Sequence, residues 1–215
     1  MKKHLGIIVC IMSSFTFYIY RVAFAQFGKT HFIVGYEHKA VPLTKECNIL
    51  SSVNESCSSQ AFFTSRHDVR SIVLSLLKKA EKTISIATFT MTDKIILECL
   101  KKAHERGVII CVLTDPGTMQ ERHSKIKVLS DMHIPVFHYN PSLNPNTKQK
   151  KGHYTSLMHH KFIIIDDEIV VTGSSNLTHA GQVRNMENIV ILKDKDTIQE
   201  YQKEFEHLKT MCIAC

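Results

Sequence analysis

His159-His160-Lys161-Phe162-Ile163-Ile164-Ile165-Asp166 and Gly173-Ser174-Ser175-Asn176 set an imidazole, an ammonium, an amide and small turn residues at short range, in the pattern H-x-K-x4-D-x6-G-S-x-N. His159 and Lys161 are two apart, so on a strand they project from one face. An imidazole nitrogen can attack phosphorus as a nucleophile. Lys161 brings a compact positive charge, and Asn176 a side-chain donor, to phosphate oxygens where negative charge develops. Gly173 lets the backbone come close, Ser174 adds a donor that shapes a phosphate pocket, and Ser175 is a weaker candidate. Asp166 completes the pattern, and its place at a turn suits a structural or interface role better than chemistry. A His-His-Lys run alone is most often a solvated strand end; the further fixed positions decide for chemistry. Such a set meets the phosphate charge without a metal. No carboxylate cluster or His/Cys set near His159 has the spacing of a catalytic metal site, and no cofactor is implied. His133, His138 and His160 have neither ligand spacing nor acidic partners and read as surface or packing residues.

The elements that hold these residues are legible from pattern. Residues 162–165 form a continuous apolar run, the mark of a strand buried on both faces. Residues 166–168 are a polar break, and 169–172 return as a second strand that brings 173–176 beside His159. Upstream, residues 31–36 read as a first strand and 37–61 as a polar, cysteine-flanked surface insertion. Ser65-Arg66-His67-Asp68 resembles a capping box ahead of Val69, Ile72, Val73, Leu76, Leu77 and Ala80 at helical spacing. A strand over 83–89 follows. Thr92 and Asp93 then open a helix with apolar face Ile95, Ile96, Cys99, Leu100 and Ala103, ended by Gly107. Strands are predicted over 108–113, 134–139 and 187–192, and helices over 120–132 and 197–208. Strands alternating with helices give an α/β class with a mixed sheet covered on both faces. Residues 140–157 directly precede the catalytic strand. Lys148, Lys150 and Lys151 there suit a substrate-gripping loop with phosphate contacts, although a solvated loop fits the composition equally well. Lys125 and Lys127 extend the basic rim.

The stretch 159–176 resembles the HKD signature of the phospholipase D superfamily. The similarity runs roughly over 32–208 and includes Val34-Gly35-Tyr36, Ile84-Ser85-Ile86-Ala87 with Phe89-Thr90, and Asn185-Met186-Glu187-Asn188. The chain looks most like the small single-motif members: the bacterial Nuc-type endonuclease, its mitochondrial relatives, and the secreted phospholipase D of obligate intracellular bacteria. The signature occurs once in 215 residues. Because members of this kind build one site from two chains, the resemblance implies a phospholipase D-like fold and a homodimer with two His159 rings facing across a two-fold axis. It also implies a two-step displacement. One His159 forms a phosphohistidine; the partner His159 protonates the leaving oxygen, then takes a proton from the water that hydrolyses the intermediate. Histidine, titrating near neutrality, suits both roles. Glu187 matches the family's acidic residue that hydrogen-bonds and orients the catalytic imidazole.

Composition bounds the rest. The length suits one substantial domain. The formal net charge is +7, of which Lys2, Lys3 and Arg21 supply three ahead of residue 26 with no acids, leaving +4. That balance suits an anionic phosphodiester without requiring one. Lys2-Lys3-His4, an apolar run over residues 5–20 and Ala23-Phe24-Ala25 before Gln26 predict a secretory signal over 1–25, cleaved to leave a secreted or periplasmic catalytic domain at 26–215. The competing reading is a membrane anchor over residues 5–20. Export makes disulfides feasible. Cys47 with Cys57 is the best pair, and a zinc site from Cys47, Cys57 and His38 or His67 is the alternative. Cys212 and Cys215 read as a terminal disulfide or inert thiols, and Cys99 and Cys111 as core.

Two functions share this chemistry. One is an endonuclease on DNA or RNA, favoured by the basic loop before the catalytic strand. The other is a secreted phospholipase D that hydrolyses phosphatidylcholine or related lipids to phosphatidate in a virulence role, meeting a membrane surface through apolar residues. A nucleic-acid-binding module with a dead site is a third reading, opposed by the intact set His159, Lys161, Asn176 and Glu187.

Overall fold

Ile84 and Ile86 pack on one face of their strand and Ala87 on the other, and Ile163 and Ile165 alternate in the same way with Phe162 and Ile164. Period-two burial on both faces requires helices on both sides of one sheet. The computed structural model shows that arrangement. It describes residues 57–119, 121–147, 149–150, 153–154 and 156–215. An eight-stranded mixed sheet is formed by β1 (Ser59–Phe63), β2 (Thr83–Thr88), β3 (Ile109–Thr114), β4 (Val136–Tyr139), β7 (Lys161–Ile165), β8 (Ile169–Gly173), β9 (Asn188–Leu192) and β10 (Cys212–Ala214), in the order β1-β9-β8-β7-β2-β3-β4-β10. A separate two-stranded ribbon pairs β5 (Gln149–Lys150) with β6 (His153–Tyr154). β2, β3 and β4 are mutually parallel; the other pairings are antiparallel.

One face is covered by α1 (Val69–Lys79), α2 (Lys94–Glu105) and α4 (Ile126–Asp131), through Leu77, Leu100 and Leu129 among others. The other is covered by α5 (Lys195–Thr210), through Ile198, Phe205 and Leu208. The α/β class with a mixed sheet covered on both faces is thus the observed one. α2 begins as expected at Asp93, whose carboxylate accepts from the Ile95 and Ile96 amides. α1 begins at Asp68 itself, which accepts from Ser71 N at 3.0 Å, so Asp68 is the cap and not the last residue of a box opened by Ser65.

Two other expectations change. Residues 59–61, read as part of the insertion, belong to the edge strand β1; residues 37–56, like the strand expected over 31–36, lie outside the described residues. The single helix expected over 120–132 is instead α3 (Pro116–Met119) and α4, separated by a turn. Glu121-Arg122-His123-Ser124-Lys125 offers no apolar position to bury and cannot carry a helix across the gap. Of the two readings of the C-terminal thiols, the disulfide is not formed and the inert thiols stand. Cys212 packs on the α5 face, while Cys215, three positions on, approaches His138 Nδ1 at 3.5 Å. An odd separation along extended chain sends the two thiols to opposite faces. Burial, followed by the nearby Cys111 and Cys215, pushes the Cys212 thiol up to about 11, so it is inert at neutral pH. Cys99 is buried and Cys111 partly so. Cys57 is exposed, and its expected partner Cys47 lies outside the described residues, as do the signal or anchor readings of residues 1–25. His67, an alternative zinc ligand, accepts from Phe63 N at 3.1 Å through Nδ1.

Candidate active site

β2 and β3 run side by side in one direction and end at Thr88 and Thr114. β7 runs the other way on the far side of β2 and begins at Lys161, paired with Thr88. The reversal sets the residues ahead of β7 level with the carboxyl ends of the parallel strands, where a crevice is lined by Tyr139, Asn144, Leu157, His159, His160 and Glu204. The residues just ahead of β7 are anchored there. The Met158 amide donates to Oδ2 of the buried Asp115 at 3.0 Å, Asp115 Oδ1 accepts from Gly117 N at 2.9 Å, and Phe89 N donates to the His160 carbonyl at 3.1 Å. Asp115 went unremarked in the sequence, where Asp-Pro-Gly reads as a turn and nothing links it to a residue 43 positions away.

These anchors give the neighbouring histidines, which both line the crevice, different partners. His159 lies at the crevice, its ring 4.7 Å from that of Phe89. His160 turns to α5, where Nε2 meets Glu204 Oε1 at 3.3 Å and the ring packs edge-on to Phe162. Lys161 Nζ lies 3.2 Å from His159 Nδ1 and 3.3 Å from Nε2, and donates to the His159 carbonyl at 2.9 Å. The same ammonium sits 5.6 Å over the Phe89 ring. Partial burial draws the Lys161 amine below its ordinary range, and the Glu187 carboxylate opposes that shift. Imidazole and ammonium therefore occupy one site, and the ammonium feels the Glu187 carboxylate.

Glu187 is held from both ends. Its backbone exchanges bonds with Thr64, N to Oγ1 at 2.9 Å and carbonyl from Thr64 N at 3.0 Å, so the residue that follows the edge strand β1 fixes its place. Its carboxylate accepts a short bond from Ser174 Oγ and one from Asn185 Nδ2 at 3.3 Å. Among the described residues those are the hydrogen bonds of its carboxylate. Ser174 is tied to Asn188, N to O at 3.1 Å, with Asn188 N returning to Ser174 Oγ at 3.1 Å. This closeness explains Gly173. With φ at +151°, a Cβ there would lie 2.2 Å from the Asn188 carbonyl oxygen.

Phe162 pairs with Thr172, which brings the turn after β8 alongside Lys161. Asn176 lies in that turn with Oδ1 buried and unpartnered among the described residues. Asp166 sits at the opposite end of β7 from His159. It takes φ +54°, and its carboxylate accepts from the amides of Glu81, Lys82 and Thr83 at 2.9, 2.7 and 2.8 Å. Partial burial raises this carboxyl, but the three amides and Lys82 outweigh it, and the net shift is downward. Asp166 therefore staples the start of β2 to the end of β7, away from the chemistry. Lys150 lies on β5, while Lys148 and Lys151 are outside the described residues.

A protein-family profile described as cardiolipin synthase, PLD-like domain, matches residues 73–209, which contain every candidate catalytic residue. This chain belongs to the phospholipase D-like family. It is 33% identical over 136 residues to the mitochondrial cardiolipin hydrolase of Xenopus tropicalis, covering 63% of this chain and 59% of that one. It is 29% identical over 147 residues to a phospholipase D of Rickettsia conorii, covering 68% and 67%. Among solved structures, NucT from Helicobacter pylori superposes with a TM-score of 0.63 at 22% identity, over 73% of this chain and 98% of that one. The last likeness bears on fold. The phospholipase D-like chain thus spans about three fifths of the length of the first relative, and within that span it carries the crevice, the anchored His159 and its ammonium.

Proposed function

We propose that the chain is a phosphodiesterase that works through a phosphohistidine on His159. The observation that carries this reading is the placement of one ammonium within 3.3 Å of both ring nitrogens of His159 at an open crevice, while His160 is engaged by Glu204. A ring nitrogen of His159 attacks phosphorus while Lys161 meets the charge on the non-bridging oxygens. A second His159, from another copy of the chain, protonates the leaving oxygen and then activates water. The single signature supports this homodimeric site. Export after cleavage before Gln26 is the companion proposal, supported by the Ala23-Phe24-Ala25 pattern.

Nucleic acid is the preferred substrate. Beside Glu187, the partly exposed Phe63 ring carries Arg66 at 5.0 Å from its centroid, an aromatic and cationic surface on which a base can stack. Lys150 and the lysines flanking it add charge along the chain leading to His159. A second reading, phospholipid hydrolysis, draws support from Leu157 and Met186. These are 63% and 76% exposed and flank His159 and Glu187, as residues meeting a lipid surface would. Parallel assays on single-stranded DNA, duplex DNA and phosphatidylcholine vesicles test both. Cleavage of DNA without release of choline supports the first, the reverse supports the second, and inactivity on all three, indistinguishable from His159→Ala, overturns the phosphodiesterase.

A further inference from the structure

The turn that carries Asn176 is built against a buried amide. Gln182 is 2% exposed, and its Nε2 donates to Ser175 Oγ at 2.8 Å and to the Asn176 carbonyl at 3.0 Å. Ser175 Oγ in turn donates to the Gly181 carbonyl at 2.9 Å, closing a ring of bonds between the turn and the segment Ala180–Arg184. That segment is a single π-helical turn, closed by Asn185 N donating to the Ala180 carbonyl at 2.8 Å. Wide turns of this kind recur at functional sites. Contact is close here: a Cβ on Gly181 would lie 2.7 Å from the Asn176 carbonyl oxygen. On the other side, the Leu177 carbonyl accepts from the Thr92 and Asp93 amides at 3.0 and 3.1 Å, which fixes the next residue to the start of α2.

We propose that Gln182 is the positioning residue that aims the Asn176 side chain at the phosphate, a role that rests on the phosphodiesterase reading. Two unpartnered atoms support it. Asn176 Oδ1 has no hydrogen-bond partner among the described residues, so its direction is set by the backbone of the turn and not by bonds of its own. Gln182 Oε1 is also buried without a partner. The Asn176 carbonyl can only accept, so the amide must present its nitrogen there and leave its oxygen orphaned. An orphaned buried oxygen is destabilising. Leucine or methionine would fill the same space without one, so what an amide adds at this position is its pair of donors. Gln182 also lines a small pocket with Thr88, Lys161, Thr172 and Ser175, so it shares a cavity with the residue that carries the ammonium.

Gln182→Met keeps the volume and removes both donors; Gln182→Glu keeps the shape and turns an acceptor toward the Asn176 carbonyl. In the full chain, with bis(p-nitrophenyl) phosphate as a phosphodiester that is neither nucleic acid nor lipid, both should lower kcat by about 10- to 100-fold, the scale of a small misplacement of a catalytic group. KM should stay within about twofold, since only charge developing in the transition state is affected. The ¹⁵N side-chain amide signal of Asn176 should move in both variants while amides of α5 do not. Wild-type kcat in both variants, or an unmoved Asn176 signal, overturns the proposal. If the wild type hydrolyses no phosphodiester, the catalytic reading fails by itself, and the Asn176 signal still decides whether Gln182 sets that side chain.

Discussion

The ammonium of Lys161 is the centre of the site at the scale of single residues. It touches the His159 ring and carbonyl, lies over Phe89 and feels Glu187. His159→Ala should lose at least ~10³-fold in kcat/KM on any phosphodiester the protein accepts, because the covalent route goes with the imidazole. His160→Ala removes a contact to Glu204 on the α5 side and should keep most activity. Equal losses from the two substitutions would sink the assignment of the nucleophile. Asp166 separates structure from chemistry. Its folded carboxyl lies below the ordinary range, so its stabilisation is fully present above the unfolded value of about 3.9 and is lost as pH falls through the lower folded value. Asp166→Ala should cost about 1 kcal/mol at pH 7, discounted because the group is largely solvated. The gap from wild type in urea titrations should close as the medium is acidified below that unfolded value, with turnover at neutral pH little changed. A constant gap across that range would show that the three amide bonds are not what Asp166 contributes.

At the scale of elements, the hairpin of β7 and β8 was legible because two signals coincide there: chemical residues at fixed spacing, and an apolar run with a polar break. α1, α2 and α5 were legible from helical spacing of apolar residues. What escaped notice depends on partners far along the chain. β1 buries only Phe62 of its five residues and follows a Ser/Asn-rich tract, so it has no pattern of its own, yet Thr64, which follows it, fixes the backbone of Glu187. β10 is three residues at an edge. The partners of Glu187 and Met158 lie 13 and 43 residues away, and nothing in spacing announces such pairs. Glycine shows how element and residue meet. Gly107, at φ +91°, ends α2 with nothing within 4 Å of where an added methyl group would sit, while Gly173 abuts the Asn188 backbone. Gly107→Ala should therefore cost only the left-handed strain of about 1–2 kcal/mol. Gly173→Ala should add about 1–3 kcal/mol of overpacking and displace Ser174 from Glu187. Urea midpoints measure the first difference and turnover the second; equal destabilisation would mean that β8 and β9 can separate at Gly173 without cost.

For the whole molecule, the decisive matters are how many copies make a site and what anion enters it. In the proposed two-step reaction the second imidazole comes from another copy of the chain, because His160, which shares the crevice, is engaged by Glu204. Activity should thus track the dimer in sedimentation, and a fully active monomer at assay concentration would remove the shared site. The choice of anion can be read from salt. A lysine that touches a phosphate of single-stranded nucleic acid adds about 0.7 to the slope of log affinity against log salt, because it releases a condensed counterion. If Lys148, Lys150 and Lys151 all grip the strand, replacing the three with alanine should flatten the slope by about 2 and weaken binding at low salt most. The rate of phosphohistidine formation at saturating substrate should change little, since Lys161 and not the loop meets the reacting phosphate. An unchanged slope would free the loop from this role and leave Phe63 and Arg66 as the nucleic-acid surface. Release of choline from vesicles by the wild type, with single-stranded DNA left uncut, would instead move the substrate to lipid and make exposed Leu157 and Met186 the residues that meet it.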